Sequence, residues 1–211
     1  MILKKFNKTK IILIIVPIII FIFLAISIKA GISTNFETWV YNESVEHMSP
    51  ILNNVIKCIT HIGDGVTVMI FCSMLLLYKK TREKIGIPVS IAVITSEVIN
   101  LVLKQIFARQ RPNILQLVNE TSYSFPSGHS MINATICTML GILVIKNIYN
   151  KKKKTICLIM CFLLPIIIGF TRIYLGVHFF GDVLGGILLG FAVSVVVYTI
   201  LKKDNTKFIT D

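Results

Sequence analysis

The sequence predicts an all-α, polytopic membrane protein, a bundle of six transmembrane helices with both termini on the cytoplasmic side, built as a single domain over residues 1–211. Three observations predict it. Of the 211 residues 55% are apolar and only 15% charged, with a mean hydropathy of +0.79, whereas soluble domains carry about 45–50% and about 25%. Six apolar runs approach the roughly 20 residues that a membrane helix needs. The basic residues gather in alternate connections between those runs.

The first run, Ile11 to Ile28, follows a basic start, as a secretory signal does. Its apolar core is longer than a signal's, and Ser27-Ile28-Lys29-Ala30 lacks a small-residue cleavage pattern, so it reads as a retained helix. Residues 31–60 have mixed polarity; Ile51, Leu52, Val55, Ile56 and Ile59 recur at helical spacing and suit a helix lying along the membrane surface. The second run, Ile62 to Tyr78, is the weakest, because Asp64 sits near its start. Ile85 to Leu103, Met131 to Ile148, Thr155 to Thr171 and Val183 to Leu201 complete the set. Five cysteines (Cys58, Cys72, Cys137, Cys157, Cys161), odd in number and widely spread, exclude a disulfide scaffold and show no zinc spacing.

With the N-terminus inside, the inner segments hold Lys4, Lys5, Lys8 and Lys10; Lys79, Lys80, Arg82 and Lys84; Lys146 and Lys151 to Lys154; and Lys202, Lys203 and Lys207. These are 16 of the 22 basic residues. That asymmetry orients the chain and accounts for most of the formal charge of +12. The charge therefore points to topology and an anionic leaflet, and not to nucleic acid.

Topology leaves other polar residues unexplained. At the outer ends of the last four runs lie Lys104 and Arg111-Pro112, then Pro126-Ser127-Gly128-His129, then Arg172, His178 and Asp182. Singly, a lysine or arginine at a helix end snorkels to headgroups, and Pro126 with Gly128 is a turn before a helix. Together they are costly groups on one membrane face, the pattern of a site.

Lys104, Arg111 and Arg172 supply donors for a phosphate-sized anion. Ser127 and Gly128 open a helix whose amides and dipole favour the same anion. His178 and Asp182 lie four apart on the opening turns of the last helix, so the carboxylate can accept from one ring nitrogen and leave the other free as a nucleophile. His129 can act as general acid and later as base toward water. A metal held by two histidines and a carboxylate is the rival use of these groups; three nearby cations and the lack of paired carboxylates argue against it.

Lys104-x6-Arg111-Pro112, Pro126-Ser127-Gly128-His129 and Arg172-x5-His178-x3-Asp182 resemble the three-part signature of the type 2 phosphatidic acid phosphatase superfamily. The signature spans 104–182. The resemblance implies a phosphohistidine on His178 oriented by Asp182, leaving-group protonation by His129, phosphate held by Lys104, Arg111, Ser127, Gly128 and Arg172, and neither metal nor cofactor. Thr171 stands where the family often has serine. The implied partner is a membrane lipid phosphate or diphosphate met at the outer face of the cell membrane: undecaprenyl diphosphate first, then phosphatidylglycerophosphate or phosphatidic acid. Transfer to another alcohol, or lipid binding and flipping without chemistry, are the alternatives.

Some groups keep two readings. Glu97, Asn100 and Lys104 form a helical stripe that leads to the cradle or bonds neighbouring helices. His61 and Asp64 reach the site or the headgroups. Gly181-x3-Gly185 and Gly186-x3-Gly190 read as close-packing surfaces. Residues 114–125 border the entrance.

Overall fold

The structure, a computed structural model, describes residues 7–113 and 115–201. Its helices are α1 (Lys8–Lys29), α2 (Thr34–Glu46), α3 (Pro50–Thr60), α4 (Gly65–Leu77), α5 (Lys79–Thr81), α6 (Ile87–Phe107), α7 (Gly128–Asn147), α8 (Lys151–Tyr174) and α9 (Phe180–Leu201), with no strand among the described residues. A 3₁₀ turn, His61–Gly63, joins α3 to α4, and a π-helical turn, Arg82–Gly86, carries α5 into α6.

By length and composition, α1, the stretch Lys79–Phe107, α7, α8 and α9 can each cross a membrane. The weak second run resolves differently. α4 has 13 residues, about 20 Å of helix against a hydrocarbon core of about 30 Å. It reaches spanning length only together with Pro50–Gly63, as one span bent by 45°. Within residues 31–60, where the sequence suggests a helix along the membrane surface, α3 packs Ile56 with Tyr174, Leu175 and Val177. α2 packs against α8 and α9. The bundle thus has five such helices, or six with the bent pair. Lys4, Lys5, Lys202, Lys203 and Lys207, which enter the orientation argument, lie outside the described residues.

Most of the helices run past the apolar stretches that announce them. Hydropathy marks only the part in hydrocarbon, while the polar ends stay helical and carry the site: Lys104 on α6, His129 on α7, Arg172 on α8 and Asp182 on α9. Helix starts follow local chemistry. Asn7, Ser49 and Asn150 accept amide hydrogens of Lys10, Leu52 and Lys153, capping α1, α3 and α8.

α9 packs against α7 and α1 most extensively, and its glycines explain how. A Cβ at Gly186 would lie 2.6 Å from the Ser127 carbonyl oxygen, and one at Gly190 would lie 2.3 Å from that of Met131. Only glycine lets the two backbones meet so closely. On the other side Phe21 of α1 stacks on Phe125 at 5.3 Å, and Phe107 meets Phe125 edge-on at 4.9 Å. This aromatic trio pins the end of the α6–α7 connection against α9.

Candidate active site

α6 ends at Ala108, which adopts a left-handed conformation (φ 44°). That turn swings the chain back over the bundle end, and Arg109 and Arg111 then point inward from the connection 108–127. Arg109 donates to Asp182 Oδ1 at 2.6 Å and to Glu37 Oε2 at 2.5 Å. Both carboxylates are buried, Asp182 completely. Their shared guanidinium offsets the desolvation that would otherwise make two buried anions untenable.

Asp182 sits in the first turn of α9, but His178 precedes that helix, which starts at Phe180. The i, i+4 helical pairing expected from the sequence is therefore replaced by a loop geometry. Asp182 Oδ2 accepts from the Phe179 amide at 2.8 Å and from the Ser124 hydroxyl at 2.5 Å, and it lies 3.5 Å from His178 Nδ1. Ser124 Oγ is 3.2 Å from the same nitrogen. Because the serine proton goes to Asp182, its oxygen accepts from Nδ1–H, and the ring is tied to the carboxylate through the hydroxyl. Nε2 then carries the lone pair and accepts from Arg111 Nη1 at 3.2 Å. Burial drives the His178 pKa down to about 3 against the opposing pull of Asp182. Such a shift favours the neutral ring at neutral pH.

The sequence-derived site residues separate into a wall and a support. Lys104, Arg111, Gly128, His129 and His178 line one cavity of about 420 Å³, shared with Glu97, Asn100, Glu120 and Ser122. Lys104 Nζ donates to the Tyr123 carbonyl. Asn100 donates to the Pro126 carbonyl at 3.1 Å, so the α6 stripe both faces the cavity and holds the loop. Behind the wall, the Ser127 amide bonds the Asp182 carbonyl at 2.9 Å and is not free for an anion, while its hydroxyl accepts from Ser130 at 3.1 Å. Arg172, 2% exposed, donates to Glu120 and, at 3.0 Å, to Thr60. Its Nε is one of three buried side-chain polar atoms without a partner among the described residues.

The profile of the PAP2 superfamily matches residues 85–206, more than half of the chain. The protein belongs to the PAP2 superfamily. Membership carries the coarse assignment, a hydrolase of phosphate esters in a membrane-spanning helical fold. The chain is 34% identical over 183 residues to phosphatidylglycerophosphatase B of Bacillus subtilis, covering 82% of this chain and 89% of that protein. It is 30% identical over 149 residues to an undecaprenyl-diphosphatase of Sulfolobus acidocaldarius, covering 68% of each. Among solved structures it resembles the transmembrane PAP2-type phosphatidylglycerolphosphate phosphatase of Bacillus subtilis, with a TM-score of 0.84 and 29% identity over 93% of this chain and 99% of that one. It also resembles Aquifex aeolicus LpxE, with a TM-score of 0.62 and 26% identity over 76% and 93%.

Several residues of this PAP2 site escape a reading by signature. Arg109 lies inside Lys104-x6-Arg111 as an unspecified position, and its partner Glu37 is 72 residues away. Ser124 is two residues ahead of Pro126. Tyr41 on α2 accepts from the Leu115 amide and donates to the Leu115 carbonyl, fastening the connection beside Ile114, which is outside the described residues. A run of polar residues, Asn119 to Ser124, just before the Pro126 block is the sequence feature that holds Ser124.

Proposed function

We propose that this protein hydrolyses the phosphate or diphosphate of a membrane lipid at the extracytoplasmic face, through a phosphohistidine on His178 and without a metal. The observation that carries this reading is the buried His178 ring, its Nε2 beside the Arg111 guanidinium on the wall of a cavity that also holds His129. Phosphate entering there meets Arg111, Lys104 and the Gly128 helix start, with Arg172 behind. Its phosphorus comes opposite Nε2. The cations stabilise charge on the equatorial oxygens, Asp182 with Ser124 holds the ring as it becomes cationic, and His129 protonates the departing oxygen. Water, deprotonated by His129, then releases phosphate. Ser127 contributes through its hydroxyl.

Glu120 stands where the anion would, as an internal mimic of it. Its carboxylate bonds Arg172 and stands 3.6 Å from Arg111, bridging the two guanidiniums as phosphate oxygens would. Both termini lie on the cytoplasmic side in this reading, because Lys8, Lys10, Lys79, Lys80, Arg82, Lys84, Lys146 and Lys151 to Lys154 cluster at helix ends opposite the site. The relative aligned over more of both chains is named for phosphatidylglycerophosphate. That monoester is the first substrate to test, followed by undecaprenyl diphosphate and phosphatidic acid.

The test is phosphate release from those three lipids in detergent with EDTA. Chelator-resistant release by the wild type, lost by several orders of magnitude in His178→Ala, is the expected result. Release that survives His178→Ala overturns the nucleophile, and EDTA-sensitive release restored by a divalent ion overturns the metal-free reaction.

A further inference from the structure

The bend between α3 and α4 brings a second carboxylate, besides Asp182, to the two histidines of the site. Asp64, at that bend, places Oδ1 2.9 Å from His129 Nε2 and Oδ2 2.6 Å from His61 Nδ1. The approach is built in. A Cβ on Gly63 would lie 2.9 Å from His129 Cδ2, 2.8 Å from Asn133 Nδ2 and 3.1 Å from Ile168 Cγ2, so only glycine lets the bend press against the ring and its neighbours. Asn133 Nδ2 in turn donates to the His129 carbonyl at 2.9 Å. The adjoining Thr60 bonds Arg172. The bend therefore touches two of the proposed phosphate-handling groups, although it lies outside the stretch 85–206 that carries the family signature.

We infer that Asp64 is a positioning residue for His129: its carboxylate holds Nε2–H, presents Nδ1 to the leaving oxygen, and balances the charge of the imidazolium that donates the proton. This rests on the proposed role of His129 as general acid. In the first step the His178 Nε2 pair forms a bond to phosphorus and the P–O bond to the leaving group breaks. The electron pair stays on that oxygen, which takes the Nδ1 proton of His129. The imidazole left behind is neutral and still donates through Nε2 to Asp64. In the second step Nδ1 takes a proton from water as the water oxygen bonds phosphorus, and the N–P pair returns to His178. Without the carboxylate, Nε2 loses the partner that fixes the ring's orientation, and the protonated acid loses its counter-charge. His61, largely exposed, holds the second oxygen of Asp64 and keeps the carboxylate turned toward the ring.

The experiment separates acid assistance from stability. kcat/KM, which reports transfer to the enzyme, is measured for an alkyl lipid phosphate, whose leaving oxygen needs a proton, and for p-nitrophenyl phosphate, whose leaving group departs without one. The variants are Asp64→Leu, Asp64→Asn, His129→Ala and the double variant Asp64→Leu/His129→Ala, with melting temperature in detergent as a folding control. Asp64→Leu is expected to lower the alkyl value by roughly 10–100-fold, part of the about 10²–10⁴-fold that a positioned general acid contributes. The aryl value should change less than about threefold, Asp64→Asn should fall between wild type and Asp64→Leu, and the double variant should be no worse than His129→Ala alone. If His129→Ala spares the aryl substrate while Asp64→Leu affects both substrates equally or neither, the inference fails and the general acid stands. If His129→Ala lowers both substrates equally, the general-acid reading itself fails.

Discussion

Replacing Glu120 with glutamine removes the carboxylate that stands between Arg172 and Arg111. An incoming phosphate must displace that side chain, so the affinity measured for phosphate is the intrinsic affinity scaled by the fraction of molecules in which the cradle is open. Glutamine keeps an acceptor for the Arg172 guanidinium but loses the charge–charge attraction, about 1–2 kcal/mol for a half-buried pair, between the exposed and the buried ranges. That corresponds to phosphate binding roughly 5–30-fold more tightly, at about 1.4 kcal/mol per factor of ten. The assay is competitive inhibition by inorganic phosphate at fixed ionic strength, with Glu43→Gln on the exposed face of α2 as the control for a changed surface charge. The expected inhibition constant is lower in Glu120→Gln and unchanged in Glu43→Gln. An inhibition constant that stays the same or rises in Glu120→Gln refutes the argument, because it means phosphate and the Glu120 carboxylate do not share a site.

Arg109→Ala leaves Glu37 and Asp182 buried without their common cation, which should destabilise the fold by about 3–5 kcal/mol and lower the melting temperature in detergent by roughly 6–20 °C; a shift below about 2 °C contradicts the clamp. The pH dependence follows from the depressed pKa of His178. Burial pushes the His178 pKa from the ordinary 6.5 down to about 3, so between those values the unfolded chain binds the extra proton. Stability is fully present above about pH 6.5 and declines as pH falls toward 3. Melting temperature measured from pH 7 to 4 should therefore fall more steeply in wild type than in His178→Asn, and equal slopes would remove the buried neutral ring from the account.

The helical architecture was legible because hydrocarbon imposes an unmistakable pattern: apolar runs near 20 residues broken by basic connections. The grouping of Lys104, Arg111, Gly128, His129 and His178 was legible for a related reason, since alternate crossings bring same-side ends of consecutive helices together, and those five residues share a cavity wall. What stayed hidden depends on conformations that carry no periodicity. The left-handed turn at Ala108 aims Arg109, and it occurs at a residue type that does not announce it. The bend at Gly63 makes Asp64 a neighbour of His129 across 65 residues, and hydropathy registers it only as a weak span. The four-residue spacing of His178 to Asp182 suits a helix; the loop at 175–179 satisfies the same spacing through Ser124.

The paired contacts Glu37 with Arg109, Thr60 with Arg172 and Asp64 with His129 each join a residue from the first third of the chain to one from the remainder. A chimera that takes residues 1–84 from one relative and the rest from another will function only when both parents carry compatible members of all three pairs. The N-terminal helices are thus inherited with the chemistry they serve and cannot be exchanged as interchangeable anchors.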